Sequence, residues 1–173
     1  MFTGAVLWSL LFAGGSAFMD ARQAAAPIDP TCRIIEAAYT AAIGSDHLAY
    51  PRDIDPSIRV IDLTQFVPDY RKRLAMNATE FNGLAARQSL YAQEKYRPLC
   101  MPVSDPAPRV DEEGHLHRVS FTHPIVSANG MLAITEVSFQ EPGGARAFGY
   151  GMMCVVRRGA AGWTAKCVDS WVT

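Results

Sequence analysis

Four cysteines and four histidines are the residues of this chain best suited to chemistry, and their spacing must decide between disulfides, metal binding and acid–base work. The cysteines are the more informative set. If Gly159–Gly162 is a four-residue loop between two strands, Arg158 faces Trp163, and counting outward in step places Cys154 opposite Cys167. Facing cysteines on adjacent antiparallel strands meet the distance a disulfide requires. Such a bridge closes a loop of about 14 residues and contributes roughly 3 kcal/mol in the chain-entropy picture. Cys32 and Cys100 then pair by elimination, clamping the first helix to a later connector. Four cysteines permit three connectivities, and sequence does not choose among them. A zinc site competes poorly, because no C-x-x-C spacing is present.

The histidines give a second constellation. His115, His117 and His123 fall on one strand parity, as three metal ligands on a common face would. Val119 and Phe121 share that parity, so a core-edge role for the ring of His117 is the simpler reading, and no metal is expected. If Asn129–Gly130 is a two-residue hairpin turn, His123 faces Glu136 directly. On a sheet such a pair contributes a few tenths to about 1 kcal/mol. In a pocket it would be a general base with its orienting partner, and Tyr150 and Asp169 would have to converge on it. The structural role is the preferred expectation, with no catalytic residue assigned.

Other motifs are weaker. Asp53 and Asp55 lie in a proline-broken stretch without calcium-loop spacing, and Asp111-Glu112-Glu113-Gly114 reads as a solvated turn. Gly149-Tyr150-Gly151 is followed by no helix, so it is not a dinucleotide fingerprint and points to a bulge or sharp bend. Neither a nucleophile elbow nor a phosphate-cradling loop occurs, and no cofactor is implied. Asn77-Ala78-Thr79 fits a glycosylation sequon, which has meaning only in a eukaryotic secretory route. Trp163 and Trp171 share strand parity with Cys167, which reads as core and rim of a sheet.

The elements that position these residues begin after a leader. Ala5–Ala13 is a short apolar run followed by Gly14, Gly15, Ser16 and Ala17, then small residues up to Pro27. This is the layout of a secretory signal peptide, although no Lys or Arg precedes the run. Residues 1–17 are expected to be removed, with cleavage possible as late as residue 26. The run is well short of the roughly 20 residues of a spanning helix, so no stable membrane anchor is expected after cleavage. An exported chain meets an oxidising compartment, periplasmic or extracellular, where disulfides persist. Residues 27–173 then form one α+β domain. A net charge of -1 offers no basic field for nucleic acid, and Arg71-Lys72-Arg73 reads as a solvated helix face.

Within that domain Asp29-Pro30 is an N-cap and first helical position, and Ile35, Ala38, Ala42 and Ile43 recur at helical spacing up to Gly44. Residues 45–57 read as loop and Arg59–Thr64 as a short strand. Pro68 opens a second helix running to about Lys95, with a restart at Asn77 and Glu80, which resemble a capping box. Phe81, Leu84, Ala85 and Tyr91 are its expected buried stripe. Pro98, Pro102, Pro106 and Pro108 mark an extended connector. Strands are predicted over Leu116–Thr122, Met131–Phe139, Ala147–Arg158 and Trp163–Val172. The expected architecture is therefore N-terminal helices on one face of a four-stranded, or larger, antiparallel meander.

The stretch Ser120-Phe121-Thr122-His123-Pro124-Ile125-Val126-Ser127, then Ala133, Gly149-x-Gly151, Arg157-Arg158, Trp163 and Trp171-Val172, resembles a pattern of uncharacterised bacterial envelope proteins. Those proteins carry no assigned activity, so no catalytic residue transfers, and Cys154 and Cys167 stand outside the pattern. The helix-then-meander order also resembles cone-shaped NTF2-like domains, which implies a curved sheet around a pocket. Fold likeness of this kind does not set function.

Three classes of function follow, the third a purely structural envelope component with no pocket and broad exposed apolar surface. The leading expectation is an exported, non-enzymatic domain that binds a small ligand or a protein partner. The alternative is a pocket enzyme, a hydrolase or isomerase, using His123 and Glu136.

Overall fold

The computed structural model describes residues 30–44, 54–57, 59–65, 68–100, 109–110, 116–141 and 148–173. The leader, His47, Asp53, His115 and the Asp111–Gly114 stretch lie outside the described residues. In chain order the elements are α1 (Pro30–Ile43), β1 (Ile54–Pro56), α2 (Pro68–Arg73), α3 (Ala78–Ala85), β2 (Arg109–Val110), β3 (Leu116–Phe121), β4 (Ile125–Val126), β5 (Leu132–Gln140), β6 (Gly149–Gly159) and β7 (Gly162–Val172). Short 3-10 turns occupy Leu63–Gln65 and Gln88–Leu90.

The sheet runs β1-β3-β5-β6-β7, with β2 paired to the start of β3 and β4 to the first half of β5. The four predicted strands form and pair as an antiparallel meander. β1 adds a parallel edge to β3, which makes the sheet mixed.

β5 explains why the sheet needs two covers. Eight of its nine residues are buried, in unbroken succession. Successive residues face opposite sides of a sheet, so both faces must be covered. Ala133, Val137 and Phe139 join Cys154 and Val156 of β6 against Ile34, Ile35, Ala38 and Tyr39 of α1. Ile134, with Met153 and Val155 of β6, packs against Ile61, Leu63, Leu74, Met76 and Leu84. The helices therefore lie on both faces of the sheet rather than on one. Each fully buried Ile, Leu or Phe in these layers contributes about 1.5–3 kcal/mol.

Two predicted elements move, for local reasons. Arg59–Thr64 is not a strand: Ser57 Oγ accepts from Arg59 N at 3.1 Å and donates to Arg59 O at 3.0 Å, bending the chain out of the sheet. The Asp62 carboxylate then caps the 3-10 turn through Thr64 N at 2.9 Å and Thr64 Oγ1 at 2.6 Å. Such side-chain bonds compete with strand pairing. The pairing falls instead to Ile54–Pro56, inside the stretch read as loop, where Ile54 is buried opposite Val119. The second helix is two helices, and helix ends at Ala85 rather than Lys95. Beyond it, Arg87 Nε donates to Val126 O at 2.7 Å and Gln88 Oε1 accepts from Leu63 N at 2.9 Å, so tertiary bonds replace helical ones. The capping box itself is present, with Asn77 Oδ1 accepting from Glu80 N at 2.8 Å and Glu80 Oε2 from Asn77 N at 3.0 Å.

Both disulfides form as the hairpin count and elimination suggest. Cys154 faces Cys167 in the β6–β7 register and is bonded to it, and Cys32 is bonded to Cys100. The first bridge lies under α1, with both sulfurs within 3.8 Å of Ala38 O.

Candidate functional site

Glu136 is the one charged residue of the buried core among the described residues, at 2 % exposure. β5 places it on the face shared with Ile134 and Met153, where a bare carboxylate would be costly. Three groups gather on its Oε1 oxygen. Arg59 Nε lies 2.7 Å away, Trp171 Nε1 donates at 3.1 Å, and Ser138 Oγ donates at 3.3 Å. The Arg59 guanidinium also lies 5.4 Å from the Trp171 ring centroid, a cation–π distance. Across the sheet, Thr122 Oγ1 accepts from Glu136 N at 2.8 Å and fixes the backbone.

The indole reaches this carboxylate because of two backbone features. The β6–β7 ladder pairs Met152 with Asp169 but Gly151 with Trp171, so Ser170 is an extra residue in β7. One extra residue inverts the parity that follows it. Trp171 therefore turns to the Glu136 face, opposite the face of Cys167, whereas simple alternation places both on one side. The second feature is Gly149-x-Gly151. A Cβ on Gly151 would stand 2.0 Å from Trp171 Nε1, and one on Gly149 3.2 Å from the indole ring. The paired glycines are the groove in which the indole lies.

Beside the carboxylate is a cavity of about 240 Å³ lined by Arg59, Val60, Ile61, Asp62, Gln65, Thr122, Glu136, Met153 and Ser170. The hydroxyl and N–H of Thr64 hold the Asp62 carboxyl below its ordinary range.

His123, Glu136, Tyr150 and Asp169, the residues of the pocket-enzyme alternative, are not brought together. β3 and β4 pair with β5 one residue out of step: Phe121 faces Val137, whereas Ile125 faces Ile134, four steps against three. The extra residue falls in 122–124, and Thr122 takes the place opposite Glu136 that the turn count assigns to His123. The His123 ring stacks on Tyr96 at 4.5 Å and meets Tyr91 edge-on at 5.3 Å. Tyr150 faces the α1 side and stacks on Phe139 at 4.8 Å, and exposed Asp169 lies 3.9 Å from Arg73. No group of three His, Cys, Asp or Glu side chains converges as metal ligands among the described residues. His117 is placed in β3 only by its backbone, and Asp55 lies 3.7 Å from Arg118.

Sequence reasoning named Glu136 as the partner of His123, but missed Arg59, which comes from a segment outside the sheet, and missed the turning of Trp171. The available signal for the latter was the paired glycines, since glycine in a strand marks close approach of another group.

Comparison of the chain with protein-family models, with curated proteins and with solved structures finds no match in any of the three. Fold and site define a class: a disulfide-bonded α+β protein whose sheet carries a buried carboxylate at the wall of a small polar cavity. No helix among the described residues is long and apolar enough to cross a membrane.

Proposed function

We propose that this is an exported, non-enzymatic binding protein, periplasmic or secreted, that holds a small polar ligand in the cavity at Glu136. The carrying observation is a carboxylate at 2 % exposure forming part of a cavity wall. Burying that charge costs stability, and a binding role accounts for its being retained on a face that Ile or Val would fill better. The two disulfides support an oxidising compartment, in line with the leader. Binding rather than catalysis is favoured because the groups around Glu136 are fixed donors, and the His123 ring is taken up by Tyr96, on which it stacks, and Tyr91, which it meets edge-on.

The test is a titration of the isotopically labelled, disulfide-bonded protein with glycerol, sodium butanoate and n-butylammonium chloride at millimolar concentration. A saturable shift of the Trp171 indole N–H with any of them is the expected result. Absence of a shift with all three defeats the ligand-binding reading. Export is tested separately on natively produced protein: alkylation before reduction should label no cysteine, and alkylation after reduction all four.

A further inference from the structure

We propose that the ligand is a small organic cation, a primary ammonium on a short alkyl chain, whose N–H donates to Glu136 Oε2. This rests on the ligand-binding reading above and narrows it.

The two carboxylate oxygens are unlike. Oε1 takes the contacts from Arg59, Trp171 and Ser138, while Oε2 accepts no hydrogen bond from the described residues. A carboxylate oxygen without a protein donor gains a charge-assisted hydrogen bond from a donor that enters the cavity beside it. The charges on the wall give the sign of that donor. Glu136 and Asp62 stand against a single guanidinium, Arg59, already spent on Oε1. An anion would enter a wall with net negative charge, and a neutral hydroxyl would leave the excess uncancelled. A cation brings two positive groups to two carboxylates.

The remaining wall sets the rest of the molecule. Val60, Ile61 and Met153 offer apolar surface for a short hydrocarbon chain. The volume of about 240 Å³ lies below the roughly 300 Å³ at which sites for drug-sized ligands begin. A free alkylamine and the lysine side chain of a peptide carry the same head group, so both sources must be compared.

The experiment titrates the labelled full chain, disulfides intact, with n-butylammonium, 1-butanol, butanoate and the blocked peptide acetyl-Gly-Lys-Gly-amide, reading the Trp171 indole N–H. Butylammonium should bind at least ~10-fold more tightly than butanol, and butanoate more weakly than either. Glu136→Gln keeps the shape of the site, removes the charge, and should weaken butylammonium roughly 10–100-fold. Should that variant not fold, Asp62→Asn serves instead, with an expected loss of severalfold. A tighter peptide assigns the head group to a lysine side chain, and a tighter butylammonium to a free amine. Preference for butanoate, no preference over butanol, or affinity unchanged in the charge variants overturns the cation assignment alone. Silence of every probe overturns the ligand-binding reading itself.

Discussion

Glu136 and Arg59 form an unequal pair, and the inequality has a measurable consequence. The Glu136 side chain is 3 % exposed and that of Arg59 49 %. Removing the guanidinium strands a buried charge, whereas neutralising the carboxylate leaves a cation that water can solvate. Arg59→Ala should therefore cost about 1–3 kcal/mol, below the range for a fully buried pair because water reaches the arginine. Glu136→Gln should cost less than Arg59→Ala, or nothing. Urea melts of the two variants check the order, and a reversed order would remove the claim that Arg59 is the compensating charge. In this site the residue legible in advance was Glu136, from strand parity. Its partners were not, because Arg59 is brought in by a bend that Ser57 makes locally and Trp171 by an unpaired residue in β7.

Between elements, two contacts bind the α2–α3 layer and the edge strand to the sheet. Glu80 completes the α3 capping box and also pairs with Arg157 of β6, whose Nη2 donates to Glu80 Oε2 at 3.2 Å and to Ala75 O at 3.1 Å. The hydrogen bonds from Arg157, and then the one from Asn77 N–H, hold the Glu80 carboxyl below its ordinary value of 4.5. A carboxyl lowered on folding adds stability that is present above its unfolded value and is lost as pH falls through the folded one. Urea midpoints should thus fall on acidification from about pH 6 to about pH 3, and Glu80→Gln should flatten that slope. The second contact is Trp171 in its glycine groove. Gly151→Ala places a methyl against the indole, which must shift away from Glu136, at a cost of about 1–3 kcal/mol. A changed indole N–H resonance should accompany the lower urea midpoint, and an unaltered resonance would show that the groove is not needed.

For the whole molecule, the disulfides tie the layers together at two depths. Cys154 is fully buried beneath α1 and Cys32 is 8 % exposed, while their partners Cys167 and Cys100 are both half-buried, so the bridges differ at Cys154 and Cys32. Access governs thiol exchange, so limiting reductant should open Cys32–Cys100 first. Peptide mapping after partial reduction and alkylation should find label on Cys32 and Cys100 ahead of Cys154 and Cys167. Losing the longer loop closure should cost about 4 kcal/mol and the hairpin bridge about 3 kcal/mol in the chain-entropy picture. By itself the sequence determined what neighbours within a few residues can encode: the strand periods, the helix start at Pro30, the capping box at Asn77 and Glu80, and the hairpin count that pairs the cysteines. Only the tertiary structure decided which face Trp171 takes, that Thr122 and not His123 stands across from Glu136, and that helices cover both sides of the sheet. The physical reason is that one extra residue in a strand reverses every parity beyond it, and the glycines beside it mark a close approach without saying which residue is extra or which side chain turns. The partner of a buried charge, likewise, is chosen by which distant segment finally packs against it.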